Sequence, residues 1–224
     1  MQALPDDRIA ATAGRFAAVY TAAVADALDR RGLLDQTLPP ELVPLSPEMR
    51  LAGPAYPVEG RPHSGHDYDA SIRRFLAMLG AVPPGHVVVY QTNDRESSQL
   101  GELSVTSLRA RGCTGAVLDG GCRDVEFILR DGFPVFARYP TPQDSIPRWE
   151  LHAHGDVEIE IGSVRIALGD WVVADLDGIV VVPAALVDDV LAEAEQKASV
   201  ENRIRDAVRE GVLPLDAYER FGTF

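Results

Sequence analysis

The sequence predicts a single α/β domain finished by a long C-terminal helix. Three observations lead there. Residues 86–131 run strand, helix, strand, helix, which implies two neighbouring parallel strands joined by a right-handed crossover. Residues 157–182 alternate or turn in the way β structure does. Val187, Val190, Leu191, Ala194 and Ala198 then recur at helical spacing in a segment from Ala184 to Glu210. The chain has 224 residues, 46% of them hydrophobic, which is enough for one core. No repeat, low-complexity run or linker divides it, so residues 1–224 are read as one domain.

Composition removes several function classes. The net charge is −13, with 34 acidic against 21 basic residues. Nucleic acid and anionic membranes both need a basic surface, so neither is expected as a partner. Cys113 and Cys122 form no CxxC pair and read as buried thiols in a reducing compartment. The N-terminus lacks the basic and apolar regions of a signal peptide, and no run of about 20 apolar residues would span a bilayer. The expected location is cytoplasmic.

Taken in order, residues 6–32 read as a helix. Phe16, Tyr20, Val24 and Leu28 recur every four residues, and Gly32 stops it. Asp26 lies off that stripe, on a solvated face or in a helix-to-loop contact. Residues 38–47 are proline-rich loop. Residues 50–58 read as a strand that Pro54 and Pro57 confine to an edge or a bulge. The run His63-Ser-Gly-His-Asp-Tyr-Asp69 has no metal-ligand spacing and reads as a polar loop. A helix follows over 67–79, with Ile72, Phe75, Leu76 and Leu79 inward. Residues 86–90 are a buried strand. Residues 92–98 are polar loop, and a helix follows to Arg111 with Leu100, Leu103, Ser104, Ser107 and Leu108 on one side. After the strand at 133–137, residues 140–155 form a polar loop holding Trp149, His152 and His154. Asp177-Gly178 marks a hairpin turn into 179–182, and Asp170, Asp175 and Asp177 read as turn chemistry.

The chain is organised around Gly115-Ala-Val-Leu-Asp-Gly-Gly-Cys-Arg-Asp-Val-Glu-Phe-Ile128. It starts as an apolar strand and turns on Gly120 and Gly121, where a missing side chain permits a sharp bend or a close approach. It then enters a short helix with Val125, Ile128 and Leu129 on one face. On spacing alone, Asp124 caps that helix while Arg123 faces solvent or pairs with Glu126. A second reading has Arg123 holding an anion and Asp124 a metal. If the two strands are parallel, loops 92–102 and 119–124 open at the same sheet edge, where ligands gather in open α/β sheets. The helix start near Gly101-Glu102-Leu103 would offer free N–H groups to an anion. Arg123 would face that crevice, and Glu102 and Asp124 could supply carboxylates. This convergence favours the second reading. Further on, Glu201 and Arg205 continue the apolar stripe of the last helix. They either pair with each other four residues apart or are recruited to a site with another subunit.

Gly101-Glu102-Leu103, Arg111-Gly112 and Gly115 through Asp124 together resemble the regulator of ribonuclease E activity A family. Thr21-Ala-Ala-Val-Ala-Asp-Ala-Leu28 resembles its N-terminal helix. Phe133-Pro-Val-Phe136, Gly169-Asp170 and Ala174-Asp-Leu-Asp-Gly-Ile-Val-Val-Val-Pro183 resemble its later strands. The family includes divalent-metal-dependent 4-hydroxy-4-methyl-2-oxoglutarate aldolases that also decarboxylate oxaloacetate. The resemblance implies a layered fold of the swivelling β/β/α type, assembled as a homotrimer or hexamer with sites between subunits. It implies that Arg123 binds the pyruvyl carboxylate and carbonyl side of a keto-acid substrate, and that Asp124 coordinates Mg2+ or Mn2+. Backbone N–H groups around Gly101, Leu103 and Ser104 would bind the carboxylate. Glu102 would orient a water on the metal, and Glu201 of a neighbouring subunit would close the site. Two departures stand out. Cys122 replaces an aliphatic residue, as a small buried hydrophobe or a reactive thiol. Loop 141–154 is individual to this chain and is expected to shape the distal half of the pocket. The alternatives are a non-catalytic ribonuclease-binding regulator, or a related lyase acting on another keto acid.

Overall fold

A computed structural model describes residues 6–65 and 67–224. The chain opens with α1 (Asp6–Ala17) and α2 (Thr21–Asp29), followed by β1 (Val43–Pro44), β2 (Leu51–Pro62) and α3 (Tyr68–Ala81). Next come β3 (Val87–Gln91), β4 (Ser98–Leu100), α4 (Glu102–Ala110), β5 (Gly115–Cys122), α5 (Val125–Asp131) and β6 (Val135–Pro140). Then follow β7 (Trp149–His154), β8 (Ile159–Ile161), β9 (Val164–Ile166), β10 (Trp171–Asp175) and β11 (Gly178–Val182). A 3-10 turn at Ala184–Leu186 leads into α6 (Val187–Arg209) and α7 (Pro214–Phe221).

Nine strands form one mixed sheet in the order β1-β6-β5-β3-β2-β10-β11, with β4 added beside β5 and β7 beside β2. The pairs β2–β3, β3–β5 and β5–β6 are parallel, as the strand-helix-strand series requires. Three apolar layers follow. One lies between the parallel strands and α3, α4 and α5, around Val88, Tyr90 and Leu118. A second lies on the opposite face, where Val87, Val89 and Val117 meet the β8–β9 hairpin and Val172 and Val181. A third packs α1, α2 and α6 on Val173, Val180 and Val182. The α/β class and the long C-terminal helix are as expected, and Val187, Val190, Leu191, Ala194 and Ala198 are all buried.

Several local expectations change. The first helix is two helices, because Tyr20 is extended (φ −108°, ψ 154°). There the Thr21 N–H and hydroxyl donate to the Asp175 carboxylate at 3.0 and 2.6 Å. Those bonds hold the chain out of the helical path. β2 is no edge strand. Its first half pairs with β10 and its second half with β7, while β3 lies on the other side. Pro54 sits just before the β3 ladder begins, and Pro57 sits where β10 has ended and β7 has not begun. Neither removes a bond from a continuous ladder. Residues 149–154 are strand β7 rather than loop, with a bulge at His152. Of the polar run 63–69, Asp67 caps α3 by accepting from Ala70 N–H at 3.2 Å; His66 lies outside the described residues. Asp170 bridges the N–H groups of Ala167 and Ala184, both at 2.9 Å, so its turn role stands.

The helix faces shift as well. In α3 Met78 and Leu79 are buried and Leu76 is exposed. In α4 the inward pair is Val105 and Leu108, and Leu103 is exposed. In α5 Ile128 is buried and Leu129 is exposed. Two stretches read as loop carry short strands, β1 within 38–47 and β4 at Ser98–Leu100, so Leu100 lies in a strand and not on the helix that follows; α7 had no expectation and has Pro214 in its first turn and Gly222 in the left-handed conformation after it.

Candidate active site

β5 runs straight through Gly120 and Gly121 to Cys122, so the turn comes three residues later than expected. Those glycines accommodate protein rather than ligand. A Cβ on Gly120 would lie 2.6 Å from the Thr92 hydroxyl, and one on Gly121 would lie 2.6 Å from the Ser97 carbonyl. The close approach lets β4 pair beside β5 and brings the start of α4 against the end of β5. Beneath it, the buried Asp119 carboxylate is held by Arg95 (3.3 Å) and Arg138. The carboxylate of Asp94, also buried, accepts from Ser97 N–H (3.0 Å) and Gln99 (2.7 Å). These bonds fix loop 92–100, and with it α4.

Asp124 makes the turn, with φ of 57° in the left-handed region. An aspartate tolerates this region better than most side chains, at a cost on the order of 1–3 kcal/mol. The conformation swings its carboxylate away from its own helix, where it makes no cap. It reaches the neighbouring helix instead, and Oδ2 accepts the Glu102 N–H at 3.1 Å. The simple capping reading is therefore replaced by a cap across two elements. Arg123 N–H donates to Leu100 O at 2.9 Å, and its guanidinium lies 3.7 Å from Asp124 Oδ2 and 3.4 Å from Asp144 Oδ2. The expected partner Glu126 pairs with Arg130 at 2.6 Å.

Gly101 stands between these groups. A Cβ there would lie 2.6 Å from Asp124 Oδ2 and 3.1 Å from Arg123 Nε. A glycine lets guanidinium and carboxylate lie side by side against the start of α4. The N–H groups of Leu103 and Ser104 belong to the first turn of that helix, where no intrahelical acceptor exists. Glu102 is partly exposed one residue earlier, and Thr106 donates to it at 3.3 Å.

The structure thus gathers Gly101, Glu102, Leu103, Ser104, Arg123 and Asp124. Gly101, Leu103, Ser104 and Arg123 line a cleft of about 250 Å³. Asp124 opens on the other side of Arg123, with Thr141 and Pro142. Asp144, which sequence reasoning missed, lines the first cleft with Ile146 and Trp149. The loop that leads into β7, and the start of that strand, therefore reach the site.

Glu201 does not join this group within the chain. Its carboxylate accepts from the Tyr20 hydroxyl and lies 3.5 Å from Lys197 Nζ, which also pairs with Asp26. Burial, and then the Glu201 carboxylate, push the Tyr20 phenol up to about 12. Arg205 is exposed and bonds Asn202 rather than Glu201. Burial likewise raises the Cys122 thiol to about 11, which makes it a packed hydrophobe rather than a nucleophile. His154 bonds the Tyr56 hydroxyl at 2.8 Å. Among the described residues no group of three or more His, Cys, Asp or Glu side chains is placed to hold a metal, and no helix is long and apolar enough to cross a membrane.

Fold and site together define a layered α/β protein with a crevice at the ends of parallel strands, where a guanidinium lies beside the open first turn of a helix. The chain belongs to the RraA-like family (Aldolase/RraA), which matches residues 21–181. A relative from Halalkalibacterium halodurans, named "Putative 4-hydroxy-4-methyl-2-oxoglutarate aldolase", is 28% identical over 91% of both chains. Among solved structures, Streptomyces coelicolor RraAS2 is described as an unusual member of the RNase ES inhibitor RraA protein family. It matches with a TM-score of 0.76 at 28% identity, over 85% of this chain and 94% of its own. An uncharacterized protein from Pseudomonas syringae pv. tomato matches with a TM-score of 0.80 at 28% identity, over 92% and 96%.

Proposed function

We propose that this chain is a divalent-metal-dependent carbon–carbon lyase. It would cleave 4-hydroxy-2-oxo acids of the 4-hydroxy-4-methyl-2-oxoglutarate type to pyruvate and decarboxylate oxaloacetate at the same site. The observation that carries this reading is the placement of Arg123 beside the open first turn of α4, with the Asp124 carboxylate at its flank.

A keto-acid carboxylate fits the N–H groups of Leu103 and Ser104, where the helix terminus adds positive potential. Arg123 presents a planar fork to the same carboxylate and the adjacent carbonyl. Asp124 would hold Mg2+ or Mn2+, and Glu102 would orient a water on the ion. Such hard cations keep several waters and need only one or two protein carboxylates, so Asp124 fits them better than it fits a closed zinc cage. When bound, the ion would polarise the keto oxygen as a Lewis acid. In cleavage the C4 hydroxyl gives its proton to a water that Glu102 would orient, the C3–C4 bond breaks, its electron pair enters the pyruvate enolate, and C4 leaves as the carbonyl carbon of the second product. The enolate then takes a proton at C3 from water. Decarboxylation reaches the same enolate by losing carbon dioxide and needs no base. Arg123 opposes the negative charge that builds up in both cases. A Schiff-base route finds no support, since Lys197, the sole lysine, is engaged by Asp26 and Glu201 in another layer.

The test is pyruvate release from both substrates with Mg2+, with Mn2+ and with chelator. Release that needs the metal supports the lyase. Folded protein that releases none, yet binds a ribonuclease tightly, would establish the regulator reading instead. The proposal includes a trimer or hexamer in which Glu201 of a neighbouring copy closes each site. A monomer by light scattering at micromolar concentration would remove that shared site.

A further inference from the structure

Two guanidinium groups line the cleft at the start of α4: Arg123, just past β5, and Arg74, on α3. They share it with the carboxylates of Asp144 and Glu150. All but Arg74 have partners. Arg123 lies 3.4 Å from Asp144. Glu150 accepts from Arg61 at 2.8 Å and lies 3.9 Å from His63. Arg74 has no hydrogen bond or ion pair among the described residues.

Its own helix explains this. Arg73 pairs with Asp69, four residues back, at 2.6 Å. The positions three and four away from Arg74 are Ala70, Ser71, Ala77 and Met78, and none is acidic. Glu150 feels Arg74 without pairing with it. The hydrogen bond from Arg61 first, then the fields of His63, Arg61 and Arg74, hold Glu150 below the usual carboxylate range against the opposing effect of burial. Arg74 is therefore an exposed cation at the cleft with all its donors spare.

The reaction proposed above has a use for such a group. 4-Hydroxy-4-methyl-2-oxoglutarate carries one carboxylate at C1 and another at C5. The first turn of α4 and Arg123 take the C1 carboxylate and the adjacent carbonyl. The C5 carboxylate must leave water in a cleft that already holds Asp144 and Glu150, which is costly without a cation of its own. A guanidinium fork matches a carboxylate bidentately and offsets that cost.

We propose that Arg74 determines specificity at the distal end of the substrate, binding the C5 carboxylate while Arg123 binds the C1 carboxylate. This rests on the lyase reading above and deepens it. The bond changes are those already written. The C5 carboxylate keeps its bond to C4 and departs with it, so Arg74 holds the second pyruvate until release.

The test sets 4-hydroxy-4-methyl-2-oxoglutarate against 4-hydroxy-4-methyl-2-oxopentanoate, in which a methyl group replaces the C5 carboxylate. kcat/KM for each is measured on the full chain with Mg2+, native and as Arg74→Ala, Arg74→Lys and Arg74→Glu. The two substrates differ in intrinsic reactivity, but that difference cancels when their ratio is compared between proteins. Arg74→Ala is expected to lower the preference for the dicarboxylate by about tenfold, more than an open surface pair gives and less than a buried one. Arg74→Lys should keep part of the preference, since the charge remains and the fork is lost. Arg74→Glu should lower it further. The side chain is exposed on α3, so these variants should fold, which melting checks. A ratio that Arg74→Ala leaves unmoved, whether both rates hold or both fall together, overturns the proposal. Exchange of pyruvate methyl protons with deuterium in the native protein, followed by NMR, separates the two readings, because pyruvate has no distal group. Exchange without cleavage of the dicarboxylate overturns the role of Arg74 and leaves the enolate site standing. Absence of exchange and of all cleavage removes the lyase reading and this proposal with it.

Discussion

Arg123→Ala is expected to lower kcat/KM for pyruvate formation by about a thousandfold, the scale of losing a preorganised charge partner of a developing anion. The fold should barely notice. The Arg123 guanidinium is 38% exposed, and its carboxylate partners Asp124 and Asp144 are 42% and 43% exposed. Ion pairs that open to water contribute at most about 1 kcal/mol. A chain of this size should then lose no more than about 4 °C in Tm. The backbone anchor, Arg123 N–H to Leu100 O, does not depend on the side chain. Arg123→Lys keeps the charge but loses the fork, so its rate should fall between the other two. Near-native turnover in Arg123→Ala, measured by pyruvate release with melting followed in parallel, would mean that another group holds the anion.

Asp175→Asn should produce the opposite pattern, with a large loss of stability far from the crevice. The carboxylate is 7% exposed and accepts from Thr21 N–H (3.0 Å), the Thr21 hydroxyl (2.6 Å), Asp177 N–H (3.0 Å) and Arg50 (3.3 Å). An amide must present its NH2 to at least one of these donors. The expected cost is about 3 kcal/mol, or roughly 6–12 °C in Tm. Burial by itself would raise this carboxyl's pKa, but the bonds from Thr21, Asp177 and Arg50 outweigh burial and lower it. A group whose pKa is depressed by folding adds stability above its unfolded value, near 3.9, and loses it as pH falls through the folded value. The gap between native and variant should therefore be constant from about pH 7 to 5 and narrow below about pH 4. Denaturant titrations across that range check it, and a gap that widens in acid would rule out the carboxylate as the cause.

What could be read from the chain follows how local the physics is. The strands β3 and β5 announced themselves as unbroken apolar runs, because both of their faces are covered. Gly101, Arg123 and Asp124 were legible because two short segments supply the whole cluster. The position of the bend was not, since extended glycines and turning glycines look alike until the 92–100 loop is seen packed on them. β2 misled because proline rules assume one partner along an edge, whereas this strand changes partners at its middle. Leu103 and Leu129 misled because a helix period assigns a stripe without saying which side the sheet lies on. Asp144 reaches Arg123 through a loop with no periodicity, and no local pattern records such a meeting.

Lys197 gives this chain an unusual handle. It is the only lysine, and it is held by Asp26 of α2 and by Glu201. An acylating reagent therefore finds a single side-chain amine, seated where α2 and α6 meet. Its rate of modification reports how tightly the two carboxylates hold that amine, readable by mass on an unaltered protein without introducing a probe.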